Sequence, residues 1–437
     1  MQHHVLVLGD KSLAHATRVL TDYLPGLSTG VQPLGPQRLL VPGSTMRALQ
    51  LQYGKPQVPA ILAKAGAVSA LAVGDSEVIA LLRTRDTSTL PTRPRASATI
   101  AGFDWHLART GVPQAWALMG GPDAITWGSV RVGHVDTGYT RHPAFGFDAN
   151  PWLDTTLART FFAGSSAGLD DPGPGNGIDP LAGLMDGHGT RTASVICGHA
   201  PAAAGGAFYG VAPKVPLVPV RIANVVLINH AQNELALAID HLIDHAGVGV
   251  ISLSMGIFPA FKLATIKRLR KAIDKAYEAG AILVCAAGNH VNSVVSPAKL
   301  PRTLTLAGVS QTLLPWGGSS YGPEVDVSGP ADGIRRAEMR DGKPAYRGGG
   351  DGTSYATAMT AGAAALWLAH HGSVLSTRYP QPWQRVEAFK SVLLSGAQVP
   401  GGWQVGGGFG SGVIDVHRLL LEPLPAAAAN KDQPASS

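Results

Sequence analysis

The sequence predicts a three-layer α/β/α fold with a mostly parallel central sheet, preceded by a small N-terminal α/β domain. From about residue 101 onward, short apolar runs alternate with amphipathic helical segments. The apolar runs are continuous, which is typical of parallel strands that are covered on both faces. Hydrophobic residues make up 45% of the 437-residue chain and charged residues only 15%, a balance that favours a large buried core over disorder.

Changes in composition along the chain divide it into four predicted parts. Residues 1–92 form the N-terminal α/β domain, and residues 84–100, rich in Thr, Ser, Pro and Arg, form the linker that follows it. Residues 101–421 form the main domain. Residues 422–437 contain a run of Pro and Ala and a polar end, which predicts a disordered tail.

Hydrophobic periodicity predicts the individual elements. In the N-terminal domain we expect a helix at 13–24 and strands at 4–8, 38–41 and 78–82. In the main domain we expect strands at 130–136, 217–222, 248–254 and 281–286, and helices that start near 188 and after 354 or cover 234–246, 262–279 and 383–394. The helix at 262–279 has the clearest pattern, because apolar residues recur at helical spacing until Gly280 ends it.

Composition and charge exclude several classes of partner. The basic residues behind the net charge of +6 cluster in the linker and on one amphipathic helix, without interleaved aromatics. This pattern favours a solvated basic surface over nucleic-acid binding. No apolar run reaches the roughly 18 residues of a membrane span. The N-terminal apolar run is too short for a secretory signal, so we expect a cytoplasmic protein unless export follows an unusual route.

Four polar residues occupy the ends of predicted strands or the starts of predicted helices. Asp136 ends one strand, and His188 opens a helix between two glycines. Asn289 follows another strand in an Ala-Gly-Asn turn, and Ser354 lies between a glycine turn and a helix of small residues. Each motif alone has an ordinary explanation as a cap or a turn. Together the four motifs occupy the position that functional sites usually have in α/β folds, at the ends of strands.

These four residue types supply the parts of a nucleophilic site. A serine hydroxyl needs a base within hydrogen-bond reach, and His188 is the best candidate for Ser354. Asp136 would hold the imidazole in one tautomer and stabilise its protonated form. Asn289 would donate its side-chain amide to a developing oxyanion, with the Ser354 backbone N–H as the second donor.

The chain resembles the subtilisin-type serine proteases, or subtilases, from about residue 103 to residue 420. The resemblance begins with the order Asp, His, Asn, Ser of the four motifs, which is the order of that family. Further matching segments are Phe103-Asp104-Trp105-His106-Leu107, Tyr209-Gly210-Val211-Ala212-Pro213, Ser319-Ser320-Tyr321-Gly322 and residues 410–420. The resemblance implies a subtilisin-like fold and a serine endopeptidase that acts through an acyl-enzyme and requires no cofactor.

By the same resemblance, Asp136, His188 and Ser354 carry the catalytic triad and Asn289 the oxyanion hole. The substrate-binding residues are those of the strand that pairs with an extended peptide and of the neighbouring pocket, namely Ser254, Met255, Gly256, Ala287, Gly288 and Val295. A valine at 295 narrows the pocket for the residue before the scissile bond. We therefore expect small or medium apolar side chains there.

Two other functions stay open at the level of the sequence. One is a dedicated intracellular precursor-processing protease or a peptide ligase or cyclase. Ala358 stands where the family usually has proline, and the space gained beside Ser354 would help an amine compete with water. Neutral drift at this position is the favoured explanation. The other function is an inert binding protein on a protease fold, against which the complete set of Asp136, His188, Asn289 and Ser354 argues.

The resemblance raises two further expectations. Subtilases often bind structural calcium, and residues 170–179 are rich in Asp, Asn and Gly. The run lacks a defined ligand spacing, so a plain surface loop is favoured. Subtilases are also made as zymogens with a small propeptide. Residues 1–92 have about that size and are either an intramolecular inhibitor that is cut off or a permanent docking domain.

Overall fold

The chain divides into two compact units. One includes Met1–Arg93, and the other includes Pro94–Ile257 and Ala264–Ser437. The computed structural model describes residues 3–8, 13–24, 31–35, 38–42, 45–46, 48–49, 52, 58–65, 67–73, 99–100, 103–161, 176–181, 185–203, 205–229, 231–257 and 265–436. Most of the predicted linker at 84–100 and the strand expected at 78–82 lie outside these residues.

The N-terminal unit is an α/β unit with its own core. Its elements are β1 (His3–Leu8), α1 (Leu13–Tyr23), β2 (Gln32–Gly35), β3 (Arg38–Val41), α2 (Val58–Lys64) and β4 (Ala67–Val73). The four strands form a sheet in the order β2-β3-β1-β4, in which all pairs are antiparallel. Apolar side chains of both helices and the sheet, among them Leu6, Leu20, Leu39 and Ile61, are buried together.

The strands of the second unit include a long parallel sheet. They are β5 (Thr99–Ile100), β6 (Phe103–Asp104), β7 (Val132–Asp136), β8 (Arg159–Thr160), β9 (His199–Ala200), β10 (Phe208–Tyr209), β11 (Leu217–Arg221), β12 (Val250–Leu253), β13 (Ile282–Ala286), β14 (Leu304–Val309), β15 (Val327–Pro330), β16 (Ile334–Arg340) and β17 (Lys343–Gly350). Seven of them form one sheet in the order β15-β14-β13-β12-β7-β11-β8, and every pair in it is parallel.

The helices of this unit are α3 (Trp105–Arg109), α4 (Val112–Leu118), α5 (His188–Cys197), α6 (Gln232–Asp244), α7 (Lys267–Glu278), α8 (Thr353–His371), α9 (Val374–Arg378), α10 (Pro382–Ser395) and α11 (Val416–Leu421), with one 3-10 turn at Pro143–Phe145. Five of them, α5, α6, α7, α8 and α10, lie close to predicted positions, and the sequence does not predict the others. No helix among the described residues combines the length and the apolar character that a membrane crossing needs.

The central sheet is covered on both faces, which confirms the predicted three layers. Successive residues of β13 alternate between two cores: Ile282 and Val284 belong to one, and Leu283 and Cys285 to the other. The first core contains the buried sides of α5 and α8, and the second those of α6 and α7. Because both faces are buried, the strands read as continuous apolar runs.

The chain end differs from the predicted disordered tail. Residues 422–436 follow a defined path, and Ala435 is fully buried. Asp274 on α7 accepts hydrogen bonds from the backbone N–H groups of Ala435 and Ser436, at 2.7 and 3.0 Å. The Arg302 guanidinium donates to the Asp432 carbonyl oxygen at 3.1 and 3.2 Å. Partners on the folded domain thus order a segment whose own composition suggests no structure.

Candidate active site

The fold places three of the predicted residues at element ends on one side of the sheet. Asp136 is the last residue of β7, and His188 is the first residue of α5. Ser354 is the second residue of α8, directly after Gly352, whose φ of 140° suits glycine alone. The helices α5 and α8 pack together in the same core, which brings the two side chains towards Asp136.

The three side chains form one continuous hydrogen-bonded chain. His188 Nδ1 lies 2.6 Å from Asp136 Oδ1, and His188 Nε2 lies 3.2 Å from Ser354 Oγ. Asp136 is fully buried, and the other two residues are 5% and 6% exposed. In this arrangement the imidazole contacts the carboxylate with one nitrogen and the hydroxyl with the other, as a general base for a serine requires.

The Asp136 carboxylate is held in its charged form. Burial alone would raise its pKa, but the charge of His188 and the hydrogen bonds from His188 and from the Thr137 backbone N–H hold the pKa below its usual range. The Thr137 N–H donates to Asp136 Oδ1 at 2.7 Å. The carboxylate therefore stays available to orient His188 and to stabilise a positive charge on it.

A second buried carboxylate, that of Asp179, supports the segment after β7 and the loop that leads into His188. Asp179 accepts hydrogen bonds from Thr137 Oγ1 at 2.6 Å, from the Gly187 N–H at 2.9 Å and from the Leu181 N–H at 2.8 Å. Burial raises the pKa of Asp179. Thr137 Oγ1 in turn accepts from the Gly189 N–H at 2.9 Å. Asp179 thus ties the strand that ends in Asp136 to the start of the His188 helix.

These contacts bear on residues 170–179, for which the sequence favours a plain surface loop over a calcium site. Residues 170–175 of the run lie outside the described residues. At its end, the oxygens of Asp179 accept hydrogen bonds from the chain's own donors. Within the described parts of the chain, no group of three or more His, Cys, Asp or Glu side chains is arranged to hold a metal ion.

Gly189 is required by the close approach of α5 to the loop after β7. A Cβ atom at this position would lie 2.0 Å from the Gly138 carbonyl oxygen, far inside van der Waals contact. Any side chain here would push the start of α5 away from Asp136. The glycine after His188 in the sequence therefore sets the distance between the base and the carboxylate.

Asn289 lies next to the serine loop with its amide oriented. Its Oδ1 accepts hydrogen bonds from the Thr353 N–H and from Thr353 Oγ1, both at 2.9 Å. Since Oδ1 is occupied in this way, the Nδ2 group is the part of the amide left to donate elsewhere. Ser354 is the second residue of its helix, where a backbone N–H has no partner within the helix. Two donors, the Asn289 Nδ2 group and the Ser354 backbone N–H, are thus available at the serine loop.

The predicted substrate strand is already paired within the chain. The Gly256 N–H donates to the Val226 carbonyl oxygen at 2.9 Å, and the Ile228 N–H donates to the Gly256 carbonyl oxygen at 3.0 Å. Ser254 Oγ donates to the Ser354 carbonyl oxygen at 3.2 Å, which joins this strand to the serine loop. A peptide that pairs with Gly256 must therefore first displace the segment around Leu227. Met255 is buried in the second core.

Val295 fills the space between two glycines of the predicted pocket. A Cβ atom at Gly256 would lie 2.4 Å from one Val295 methyl group, and a Cβ atom at Gly288 would lie 2.7 Å from the other. The Val295 N–H donates to the Ala287 carbonyl oxygen at 2.9 Å, which fixes the valine in place. Ala287, Gly288, Gly256 and Val295 are thus neighbours, and the valine leaves little room between them.

Ala358 lies one helical turn after Ser354 and is fully buried in the first core. The hypothesis of extra space at this position stays a hypothesis.

The structure also shows supporting residues that the sequence did not single out, namely His134, Thr137, Asp179, Thr192 and Thr353. A signal for two of them was present: His134 precedes Asp136 by two residues on a strand, and Thr192 follows His188 by four on a helix.

Comparison with known proteins gives concordant results. A sequence profile described as the subtilase family matches residues 128–412. Mycosin-1 of Mycobacterium tuberculosis (strain ATCC 25618 / H37Rv) is 30% identical over 369 residues, which cover 67% of this chain and 77% of the relative. Subtilisin DY of Bacillus licheniformis is 28% identical over 258 residues, which cover 57% of this chain and 80% of the relative.

A solved structure shares the fold of the chain. It is described as MycP1 with the N-terminal propeptide removed, and it matches with a TM-score of 0.53 at 24% sequence identity. The match covers 74% of this chain and 98% of the other. At this identity the likeness concerns the fold alone.

Proposed function

The chain belongs to the subtilase family of serine peptidases, and from this premise we propose that it is an endopeptidase that cleaves proteins or peptides through an acyl-enzyme on Ser354. The observation that carries the proposal is the hydrogen-bonded chain from Asp136 through His188 to Ser354, at 2.6 and 3.2 Å. In this proposal Asp136, His188 and Ser354 form the triad, and Asn289 is an oxyanion donor.

The chemical steps follow from this geometry. Ser354 Oγ bonds to the scissile carbonyl carbon while its proton moves to His188 Nε2. The C–N bond then breaks, and the amine leaves with that proton. Water repeats the sequence on the acyl-enzyme: its proton goes to His188, its oxygen bonds to the carbonyl carbon, and Ser354 Oγ takes the proton back as it leaves. Asp136 stays ionised and faces the imidazolium that forms twice.

The oxyanion of each tetrahedral intermediate needs donors placed before the reaction. The Asn289 Nδ2 group and the Ser354 backbone N–H are suited to this role, because two hydrogen bonds from Thr353 to Oδ1 fix the amide and leave Nδ2 to donate. Preorganised donors stabilise charge in the transition state without a cost of reorientation at that moment.

Labelling with a fluorophosphonate probe tests the proposal against the inert binding protein. We expect stoichiometric labelling of the wild-type chain after any processing, and no labelling of a Ser354→Ala variant. Absence of labelling in the processed wild-type chain would favour the inert protein. Labelling that survives in Ser354→Ala would show that another residue is the nucleophile.

Val295 is expected to limit the residue before the scissile bond. In Val295→Gly, the ratio of kcat/KM for a peptide with Phe at that position to one with Ala should rise by about 10- to 100-fold, since a few methylene groups give discrimination of this size. Val295→Ile is the matched control and should lower the ratio. An unchanged ratio in both variants would place the pocket elsewhere.

The N-terminal unit is proposed to act as an intramolecular inhibitor that the enzyme removes. Intact mass after expression should show cleavage within residues 84–100 in the wild-type chain and no cleavage in Ser354→Ala. An intact, active wild-type chain would instead indicate a permanent docking domain.

The cytoplasmic location stays a prediction from the sequence, which cell fractionation tests.

A further inference from the structure

Two buried polar side chains lie close to Asp136 in addition to His188. His134 and Asp136 are two residues apart on β7, so both point to the same face of the sheet. His188 and Thr192 are four residues apart on α5, so both lie on the same face of the helix. The strand and the helix therefore bring all four side chains into one interface.

The contacts in this interface form a second chain of hydrogen bonds to the carboxylate. Thr192 Oγ1 donates to Asp136 Oδ2 at 3.2 Å, and His134 Nε2 lies 2.9 Å from Thr192 Oγ1. His134 Nε2 is also 3.7 Å from Asp136 Oδ2. Thr192 is fully buried and His134 is 1% exposed, so water does not compete for these groups.

The direction of these hydrogen bonds follows from the partners. Besides Asp136 Oδ2, Thr192 Oγ1 has the carbonyl oxygens of His188 and Gly189 at 3.1 and 3.3 Å, and all three can only accept. His134 Nε2 is thus the group that can donate to Thr192 Oγ1. A bare Nε2 lone pair would face the carboxylate and would be repelled by it. The tautomer with hydrogen on Nε2 is therefore the stable one.

A hydroxyl has a single hydrogen, and the charged oxygen competes for it best. Hydrogen bonds to a carboxylate are roughly twice as strong as those to a neutral carbonyl. With the Thr192 hydrogen directed to Oδ2, Asp136 receives donors on both oxygens: His188 and Thr137 on Oδ1, and Thr192 on Oδ2.

We propose that Thr192, supported by His134, is a positioning residue for Asp136, which it holds in register with His188 and whose negative charge it shares. This inference rests on the proposed triad. Neither side chain touches the reacting atoms, so the effect is transmitted through Asp136. Burial lowers the pKa of His134 to about 4, so this imidazole supplies a donor at neutral pH without adding a positive charge that would oppose protonation of His188.

Other charged groups close to Asp136 remain the same in the variants that test the proposal. Burial, and to a smaller extent the charge of Asp136, raise the pKa of Asp179, which accepts hydrogen bonds from Thr137 and two backbone N–H groups. Arg221 lies opposite Asp136 in the register of the neighbouring strand, and its guanidinium donates to Asn224 Oδ1 at 2.7 Å. Among the described residues, His188 and His134 are the groups whose charges lower the pKa of Asp136.

The test compares Thr192→Val with Thr192→Ser in the full chain. Valine keeps the shape and removes the hydroxyl, whereas serine keeps the hydroxyl. In Thr192→Val, the Asp136 carboxylate no longer shares its negative charge with a hydroxyl. It therefore holds the His188 proton more tightly and is itself protonated more easily. Both effects move the acid limb of the kcat/KM profile to higher pH, by about 0.5 to 1 pH unit, with a loss of about 3- to 10-fold in kcat. Thr192→Ser should keep the wild-type acid limb.

A second pair of variants tests the contribution of His134. His134→Gln retains a side-chain N–H donor and should stay close to wild type, whereas His134→Leu should shift the acid limb in the same direction as Thr192→Val. In the proton NMR spectrum, the downfield resonance of the hydrogen between His188 and Asp136 should move in Thr192→Val and stay in Thr192→Ser. This resonance reports the hydrogen bond itself, whatever the stability of the variant.

The outcomes separate this inference from the proposed function. An acid limb and a downfield resonance that are the same in Thr192→Val and Thr192→Ser overturn the positioning role, even if both variants are less active. A shift as large in Thr192→Ser as in Thr192→Val also overturns it, because shape and not the hydroxyl would then be responsible. A wild-type chain that neither hydrolyses peptides nor reacts with a fluorophosphonate refutes the triad itself.

Discussion

Replacing Ser354 with alanine is expected to lower kcat for a peptide substrate by about 10⁶-fold, the size of loss that removal of the nucleophile causes in subtilisin. Alanine removes the oxygen that forms the acyl-enzyme and that lies 3.2 Å from His188 Nε2. Among the described residues, this is the hydroxyl that hydrogen-bonds to His188 Nε2. KM should change little, because the substrate contacts other groups. Initial rates over a range of substrate concentrations measure both constants.

Ser376→Ala is the matched control for this variant. Ser376 is exposed in the middle of α9, and its hydroxyl donates to the Ser373 carbonyl oxygen. Its loss should leave kcat unchanged. A Ser354→Ala enzyme that keeps activity within tenfold of wild type would mean that hydrolysis takes place without this side chain.

Replacing Asn289 with alanine is expected to lower kcat by about 10²- to 10³-fold, the usual loss for one oxyanion donor. The negative charge on the carbonyl oxygen develops only on the way to the tetrahedral intermediate. The missing donor should therefore raise the barrier and leave ground-state binding, and with it KM, nearly unchanged. The same kinetic measurement separates the two constants.

Two further substitutions sharpen the assignment of Asn289. Asn289→Asp keeps the shape but replaces the donor with an acceptor, so it should lose at least as much as Asn289→Ala. Thr353→Val removes one of the two donors that hold Asn289 Oδ1 and keeps the backbone N–H. Its loss should be about tenfold or less. A rise in KM with unchanged kcat in Asn289→Ala would indicate a role in substrate binding instead.

The sequence was sufficient to predict the three-layer class and four of the seven strands of the central sheet, β7, β11, β12 and β13, for a physical reason. Strands buried on both faces must be apolar throughout, so β7, β12 and β13 stand out as short continuous runs between amphipathic helices. The hairpin of β16 and β17 lacks this signal. Its sequence is rich in Arg and Gly, and burial along β16 is irregular. Its position depends on tertiary contacts, such as the hydrogen bond from the Ala337 N–H to Ser194 Oγ.

The same distinction applies to the site. A glycine lies within two residues of each of the four predicted site residues, Asp136, His188, Asn289 and Ser354. The backbone approaches other groups closely at Gly138, Gly189 and Gly288, and this leaves a local signature. Thr192 and His134 carry no such signature, since a buried threonine and a buried histidine are ordinary in a core. The spacing of His134 from Asp136 and of Thr192 from His188 puts each pair on one face of its element. Only the packing of α5 against β7 shows what His134 and Thr192 contact. The chain end is a similar case, because its partners lie on α7 and at Arg302.

The most direct test of the proposed mechanism is to trap the acyl-enzyme. The wild-type chain is mixed with an activated ester, quenched in acid within the first turnover and analysed by intact mass and peptide mapping. We predict a burst of one leaving group per active site and an acyl group on the peptide that contains Ser354. Product release without a burst, or an acyl group on any other residue, would contradict the proposed mechanism.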